Sequence, residues 1–196
     1  MKTFKVYLDE MAVNIGDHSW SELSQPSYRS KMYDLTKNNH TIKTLESGAK
    51  LHKHIDKNKT KYTTNDHDNK ETLHYSRIEH NDSTKDFPYE HDEQTQVDRV
   101  KDSSKIPKGH ATDVTYDHFK QSKYPLRTSD TQFRKGHEMW HRLVDKALDD
   151  GHHVYHWDGK SLHKTTQENK KDHLSDSFGQ GDNYQHKHMI LSKTPL

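Results

Sequence analysis

The chain of 196 residues contains no cysteine. Disulfide bridges, thiolate zinc sites, iron–sulfur clusters and cysteine nucleophiles are therefore excluded. Long hydrophobic runs are missing too: no stretch approaches the ~20 apolar residues of a membrane span, and none near residue 1 resembles a secretion signal. We therefore expect no membrane partner, and the absence of cysteine suits a reducing compartment.

Apolar side chains are also scarce. Leu, Ile, Val and Phe together number 31, about 16% of the chain, which is below the ~20% at which disorder becomes a fair expectation. Disorder of that kind usually needs a large net charge, whereas 31 Lys and Arg nearly balance 30 Asp and Glu here. Clustered Tyr and Trp residues predict a thin core instead. With balanced charge and no basic block, we expect no specific nucleic-acid partner.

Histidine, by contrast, is unusually abundant, with 19 residues. An ordinary imidazole titrates near pH 6.5, so the net charge would climb from +1 towards +20 in mild acid if every histidine were accessible to water. The simplest interpretation is that histidine replaces other polar residues at the surface. The alternatives are a pH-dependent anion-binding surface and metal binding.

The hydrophobic pattern predicts an α/β (α+β) fold with a central, mixed but mostly antiparallel sheet flanked by helices. A helix beginning at Pro26 is followed by period-two alternation, which predicts a meander of strands with one wet face at 41–45, 50–55, 61–64 and 72–78. Residues 80–94 read as a polar loop. The second half reads as strand 96–100, loop 101–109, helix 110–121, strand 125–128, helix 130–150, strands 153–157 and 161–165, and a closing strand 184–191.

The segment His137-Glu138-Met139-Trp140-His141 spells H-E-x-x-H within a predicted helix. That spacing places two imidazoles on one helical face to bind zinc, with Glu138 as the general base. No third ligand follows at the spacing of known zinc proteases, and His137 falls within the apolar stripe of the helix. A packing role for His137 is therefore our first expectation and no metal is favoured, with a zinc hydrolase as an alternative.

The loop before helix 110–121 combines several features of an anion-binding site. Free main-chain N–H groups at a helix N-terminus attract phosphate, and Gly109 and Ala111 would let a ligand approach the backbone. Lys105 and Lys108 would add positive charge. The predicted site comprises Val100, Lys105, Lys108, Gly109, His110, Ala111 and Thr112.

The order of these features resembles that of GNAT-type N-acyltransferases, in particular divergent GNAT-like proteins encoded by phages. The likeness covers about residues 96–160, and the preceding meander fits the first strands of that fold. The segments that carry it are Lys108-Gly109-His110-Ala111, Ser129-Asp130-Thr131-Gln132, Gly136, Met139-Trp140-His141-Arg142-Leu143 and Val154-Tyr155-His156-Trp157-Asp158.

The resemblance implies that strand Val97–Val100 splays away from its neighbour. The pantetheine arm of acetyl-CoA or another acyl-CoA would lie in that gap, with its pyrophosphate on the amides of Lys108 to Thr112. No catalytic residue is named, because Ile106 stands where the family has Arg or Gln, and Ala147 where it often has a tyrosine acid. An active acyltransferase and a scaffold that has lost transfer chemistry are both open alternatives.

The first ten residues resemble the capsid-targeting leaders of internal head proteins of T-even-type phages. Those leaders begin Met-Lys-Thr-aromatic, continue as a short amphipathic helix and end at Leu-x-Glu, as Met1-Lys2-Thr3-Phe4 and Leu8-Asp9-Glu10 do here. The resemblance implies cleavage after Glu10 by a prohead protease. Residues 11–196 would then form a single GNAT-like domain.

Both resemblances lead to one functional expectation. The chain would be a phage GNAT-like, acyl-CoA-dependent N-acyltransferase, packaged in the head interior of the virion and delivered to the host cytoplasm. The first alternative is a non-catalytic phage protein that binds and inhibits a host defence or regulatory factor. The second is a zinc hydrolase that uses His137, Glu138 and His141.

Overall fold

The helices and strands follow the predicted alternation along most of the chain. The computed structural model describes residues 22–100, 103–129, 134–178 and 186–196. Its strands are β1 His40–Thr44, β2 Lys50–Asp56, β3 Lys59–Asp66, β4 Glu71–Asn81, β5 His91–Arg99, β6 Leu126–Arg127, β7 His153–Trp157, β8 Leu162–Thr165 and β9 His188–Ser192. Its α-helices are α1 Pro26–Thr36, α2 His110–Gln121, α3 Arg134–Asp149 and α4 Lys170–Asp176, and a 3-10 helix at Glu22–Ser24 precedes α1.

The strands form one nine-stranded sheet in the order β1-β2-β3-β4-β5-β6-β9-β7-β8. Strands β1 to β4 are the predicted antiparallel meander, and β5 extends it by pairing antiparallel with β4. Strand β6 pairs in parallel with β5 and antiparallel with β9, which in turn pairs antiparallel with β7. Because parallel neighbours need a crossover connection, α2 links β5 to β6. The described residues therefore form a mixed α/β structure with a mostly antiparallel sheet.

Local sequence signals set the ends of the helices. Pro26 is the first residue of α1, where its fixed φ suits the first turn. Gly151 follows α3 with a φ of 76°, and the N–H of His152 donates to the carbonyl of Ala147 at 2.8 Å. This is the left-handed C-terminal cap that glycine favours, as its position after the helix predicted.

Both faces of the central strands are covered. On one face, α2 and α3 pack through Phe119 and Leu143 into a core cluster that includes Ile78 of β4. Tyr75, on the opposite face of β4, packs with Met32 of α1. The prediction of one wet face is therefore wrong for β3 and β4, in which five consecutive residues are buried in each strand.

Polar strands explain the main errors of the sequence prediction. Residues 80–94 do not form a loop throughout, because β4 extends to Asn81 and β5 begins at His91. Helix α4 was not predicted.

Residues 1–21, 101–102, 130–133 and 179–185 lie outside the described residues, and so do the predicted leader, Glu10, and Asp130 to Gln132 of the GNAT-like segments. None of the helices in the described ranges is long and apolar enough to cross a membrane.

Candidate functional site

The loop that ends at Gly109 has an open main chain at the start of α2. Gly109 precedes the helix with φ 88° and ψ −4°, a left-handed conformation that favours glycine. A Cβ atom placed there would meet nothing within 4 Å in the described part of the chain. Within the same part, the N–H groups of Ala111 and Thr112 have no hydrogen-bond partner, as the first turn of a helix leaves them free.

Most side chains of this loop are already engaged elsewhere. The Lys105 ammonium donates to the carboxylates of Asp66 at 2.9 Å and Asp68 at 3.2 Å, and these bonds raise the pKa of Lys105. His110 is buried, and its Nε2 lies 2.8 Å from the Thr64 hydroxyl. Thr112 is buried as well. An incoming anion would therefore meet the main chain and the exposed Lys108, whereas Lys105 would first have to leave its carboxylates.

The remaining predicted residues border the same end of the sheet. The N–H of Val100 donates to the carbonyl of Leu73 at 2.9 Å, which holds the end of β5 against β4. Ala111 is half-buried against the core cluster. At the first turn of α2, the exposed carboxylate of Asp113 is 3.1 Å from the Lys146 ammonium. This ion pair partly neutralises a charge that would otherwise repel an anion at the helix N-terminus.

The two parallel strands beside this loop separate early. Strand β6 pairs with β5 only at Asp92↔Leu126 and Glu93↔Arg127. The register between β4 and β5 shifts between Arg77 and Ile78 at the same level of the sheet, which marks a bulge in β5. From Gln94 to Val97, β5 therefore has no strand partner on its β6 side within the described residues.

His137 and His141 lie close together on α3, with their ring centroids 4.5 Å apart. The ring of His137 stacks on Phe178 at 4.1 Å, and burial together with His141 lowers the pKa of His137. Among the described residues, no group of three or more His, Asp or Glu is arranged to hold a metal ion. This arrangement is one of packing against the segment that follows α4.

A second concave site lies at the other end of α2. A cavity of about 460 Å³ separates the C-terminal end of this helix from the turn between β2 and β3. The buried Asp92 accepts hydrogen bonds from Ser122 Oγ at 2.5 Å, His118 Nε2 at 2.9 Å and His80 Nδ1 at 3.2 Å. The Tyr62 hydroxyl lies 3.0 Å from His118 Nδ1. Tyr62, His80, Asp92, His118 and Ser122 thus form one connected polar network.

None of the five residues of this network was predicted as a site residue from the sequence. His80 and Asp92 fall in the segment predicted as a polar loop, and their separation matches no known motif. His118 was assigned to a helix without a role. Residues from β3, β4, β5 and α2 form the network. Correct prediction of β4 and β5 would have placed His80 and Asp92 on strands, but nothing in the sequence would have joined them to Tyr62 and His118.

Helix α2 keeps the two sites apart, since 12 residues at about 1.5 Å each span about 18 Å. The loop site offers backbone donors beside an open strand edge, and the cavity offers a fixed histidine beside lysines. Comparison with known proteins identifies neither site: no protein-family model, no curated protein and no solved structure matches the chain.

Proposed function

We propose that the protein is a GNAT-like protein that binds acyl-CoA in the gap between β5 and β6 and transfers its acyl group to an amine. The observation that carries this proposal is the end of the β5–β6 pairing after Glu93 and Arg127. A strand edge without a partner presents free N–H and C=O groups. The amide-containing pantetheine arm is an extended chain that can pair with such an edge, as a peptide strand does.

The start of α2 supplies the second part of the proposed site. The free N–H groups of Ala111 and Thr112 point along the helix axis towards its N-terminus, where the helix dipole favours negative charge. The left-handed Gly109 leaves open space directly before them. A pyrophosphate could bind there without displacing a side chain. Exposed Lys108 adds positive charge beside these amides.

Catalysis in this proposal rests on positioning. Holding a thioester and an amine in reactive geometry supplies a large part of the rate enhancement of acyl transfer. The amine nitrogen bonds to the acyl carbon and loses its proton to a base, while the carbon–sulfur bond breaks and CoA leaves as a thiol after taking up a proton. No described residue is assigned as that base. Binding and transfer are therefore tested separately, because a GNAT-like scaffold that binds acyl-CoA without transfer would act as a binding protein.

Gly109→Glu is expected to weaken acetyl-CoA binding at least tenfold. A glutamate at this position puts a carboxylate in front of the free amides and adds the strain of a left-handed side chain, about 1–2 kcal/mol. Isothermal titration calorimetry with acetyl-CoA measures the effect. The matched control is Gly151→Glu, since Gly151 has a similar positive φ and lies after α3. No heat with the wild type, or equal affinity in Gly109→Glu, would overturn the proposal.

The leader resemblance extends the proposal to the virion and to delivery into the host cytoplasm. We expect protein extracted from phage heads to lack Met1–Glu10, whereas protein expressed alone in bacteria keeps these residues. Intact-mass spectrometry distinguishes the two forms. Glu10→Ala in the phage is the control, because it removes the residue after which the prohead protease would cut. Full-length protein in mature heads would contradict processing.

A further inference from the structure

We propose that the cavity between the C-terminal end of α2 and the β2–β3 turn binds hydrogen phosphate, the protonated dianion of inorganic phosphate. The groups that would hold it are His80, Lys53 and Lys57, which line the cavity. This site is separate from the proposed pyrophosphate site, since Gly109 lies at the other end of α2.

His80 is fixed in position and in tautomer. Its Nδ1 donates to Asp92 Oδ1 at 3.2 Å, and its ring lies against Tyr124 with centroids 3.9 Å apart. Its main-chain N–H donates to the carbonyl of Asn58 at 2.7 Å. A neutral imidazole that donates through Nδ1 keeps an acceptor lone pair on Nε2. That Nε2 has no hydrogen-bond partner in the described part of the chain, and the side chain is 27% exposed.

Asp92 accepts a hydrogen bond from His80, and little of its hydrogen-bonding capacity is left for a ligand. It already accepts from three side chains, and these bonds hold its pKa below the ordinary value although burial acts to raise it. One of the three donors, His118, faces Tyr62 with its other nitrogen. The carboxylate is therefore a charged anchor whose hydrogen-bonding capacity is largely used inside the protein.

Positive charge dominates the rest of the cavity wall. Lys53 and Lys57 line it from β2 and the following turn, and neither has an ion-pair partner among the described residues. The carbonyls at the C-terminal end of α2 would repel an anion. The Lys193 ammonium, however, donates to the carbonyls of Lys120 and Ser122 and offsets this effect. An anion is thus the ligand that the site favours electrostatically.

The acceptor lone pair on His80 Nε2 makes the site selective among anions. Lysine ammonium groups can donate to any phosphate or sulfate oxygen, but Nε2 of a neutral histidine needs a ligand that carries a proton. Hydrogen phosphate has such a proton near pH 8, and sulfate has none. The cavity volume of about 460 Å³ is larger than a phosphate ion requires.

The test measures inorganic phosphate and sulfate binding by calorimetry at pH 8, where an ordinary imidazole is neutral. The wild-type chain is expected to bind phosphate at least tenfold more tightly than sulfate. His80→Ala should lose this preference, whereas Lys53→Gln/Lys57→Gln should weaken both anions at least tenfold. His54→Ala and Lys61→Gln are matched controls on β2 and β3 and should bind like the wild type. Thermal denaturation verifies that each variant is folded.

The inference would be overturned if the wild type showed no saturable phosphate binding, or if the lysine double variant bound phosphate as tightly as the wild type. Retained preference for phosphate in folded His80→Ala would also contradict it, since the proton acceptor would then lie elsewhere. Gly109→Glu separates this inference from the proposed function. It should keep phosphate binding while acetyl-CoA binding is weakened at least tenfold. Competition between phosphate and acetyl-CoA would contradict the inference, because it would show that the cavity is part of the acyl-CoA site.

Discussion

Lowering the pH from 7 to 4 is expected to unfold the protein. Seven histidines are buried: His52, His74, His91, His110, His118, His156 and His188. Burial, reinforced by neighbouring positive groups, lowers the pKa of His74 to about 3, that of His156 to about 4 and that of His188 to about 2. In the unfolded chain the same side chains bind protons near pH 6.5.

The direction of the effect follows from proton linkage. Below about pH 6.5 the unfolded chain binds more protons than the folded protein, so the free energy of unfolding falls as the pH falls. One histidine kept neutral down to pH 4 costs about 3 kcal/mol at that pH. Because the whole stability of a domain is about 5–15 kcal/mol, a few such histidines suffice to unfold it. Stability is therefore lost between about pH 6.5 and 4.

Far-ultraviolet circular dichroism and tryptophan fluorescence between pH 8 and 3 measure the transition. His74 is the informative position, because neither ring nitrogen has a hydrogen-bond partner in the described part of the chain. His74→Leu removes one buried titrating group and should move the midpoint to lower pH. His54→Leu, at an exposed position on β2, should leave it in place. A native spectrum at pH 4 would contradict the prediction, as would an unchanged midpoint in His74→Leu.

Leu143→Ala is expected to lower the free energy of unfolding by about 3–4 kcal/mol. Leu143 is fully buried on α3, in the cluster that joins this helix to α2 and to the sheet. Truncation removes buried methyl groups and leaves a cavity that neighbouring side chains fill only partly. Few other apolar residues are available to compensate in a chain with about 16% Leu, Ile, Val and Phe.

Urea denaturation at pH 7.5 measures this change. Ile55→Ala is the matched control, because Ile55 is 64% exposed on β2 and its truncation should cost less than about 0.5 kcal/mol. A loss below about 1 kcal/mol in Leu143→Ala would show that α3 is loosely attached. A changed denaturant slope would indicate that α3 unfolds separately from the sheet.

The histidines show where sequence interpretation failed. Their number suggested a polar surface, yet seven of them are inside the protein. His110 is buried because Thr64 of β3 offers a hydroxyl at 2.8 Å, and His118 because Asp92 and Tyr62 occupy its two nitrogens. The partners of these two histidines lie 26 to 56 residues away in the chain. No local pattern encodes them.

Strand β5 shows the same limit for secondary structure. Only Gln96 to Val100 was predicted as a strand, because a search for alternating apolar residues finds Val97 and Val100 alone. The observed strand starts at His91, and its buried Asp92 and Gln94 hydrogen-bond to side chains of α2 or of the loop after it. Polar residues therefore occupy inward positions that a hydrophobicity pattern reads as loop.

Short-range sequence signals determined where α1 and α2 begin and where α3 ends. Pro26, Gly109 and Gly151 set helix boundaries through backbone conformation, and the apolar positions of α2 and α3 followed the helical period. These signals act over a few residues and need no tertiary partner. Which polar side chains are buried, and which remain open to a ligand, depends instead on contacts between elements that are far apart in the chain. His80 became a candidate binding group only when β5 brought Asp92 beside it, since its hydrogen-bond partners come from separate elements of the sheet.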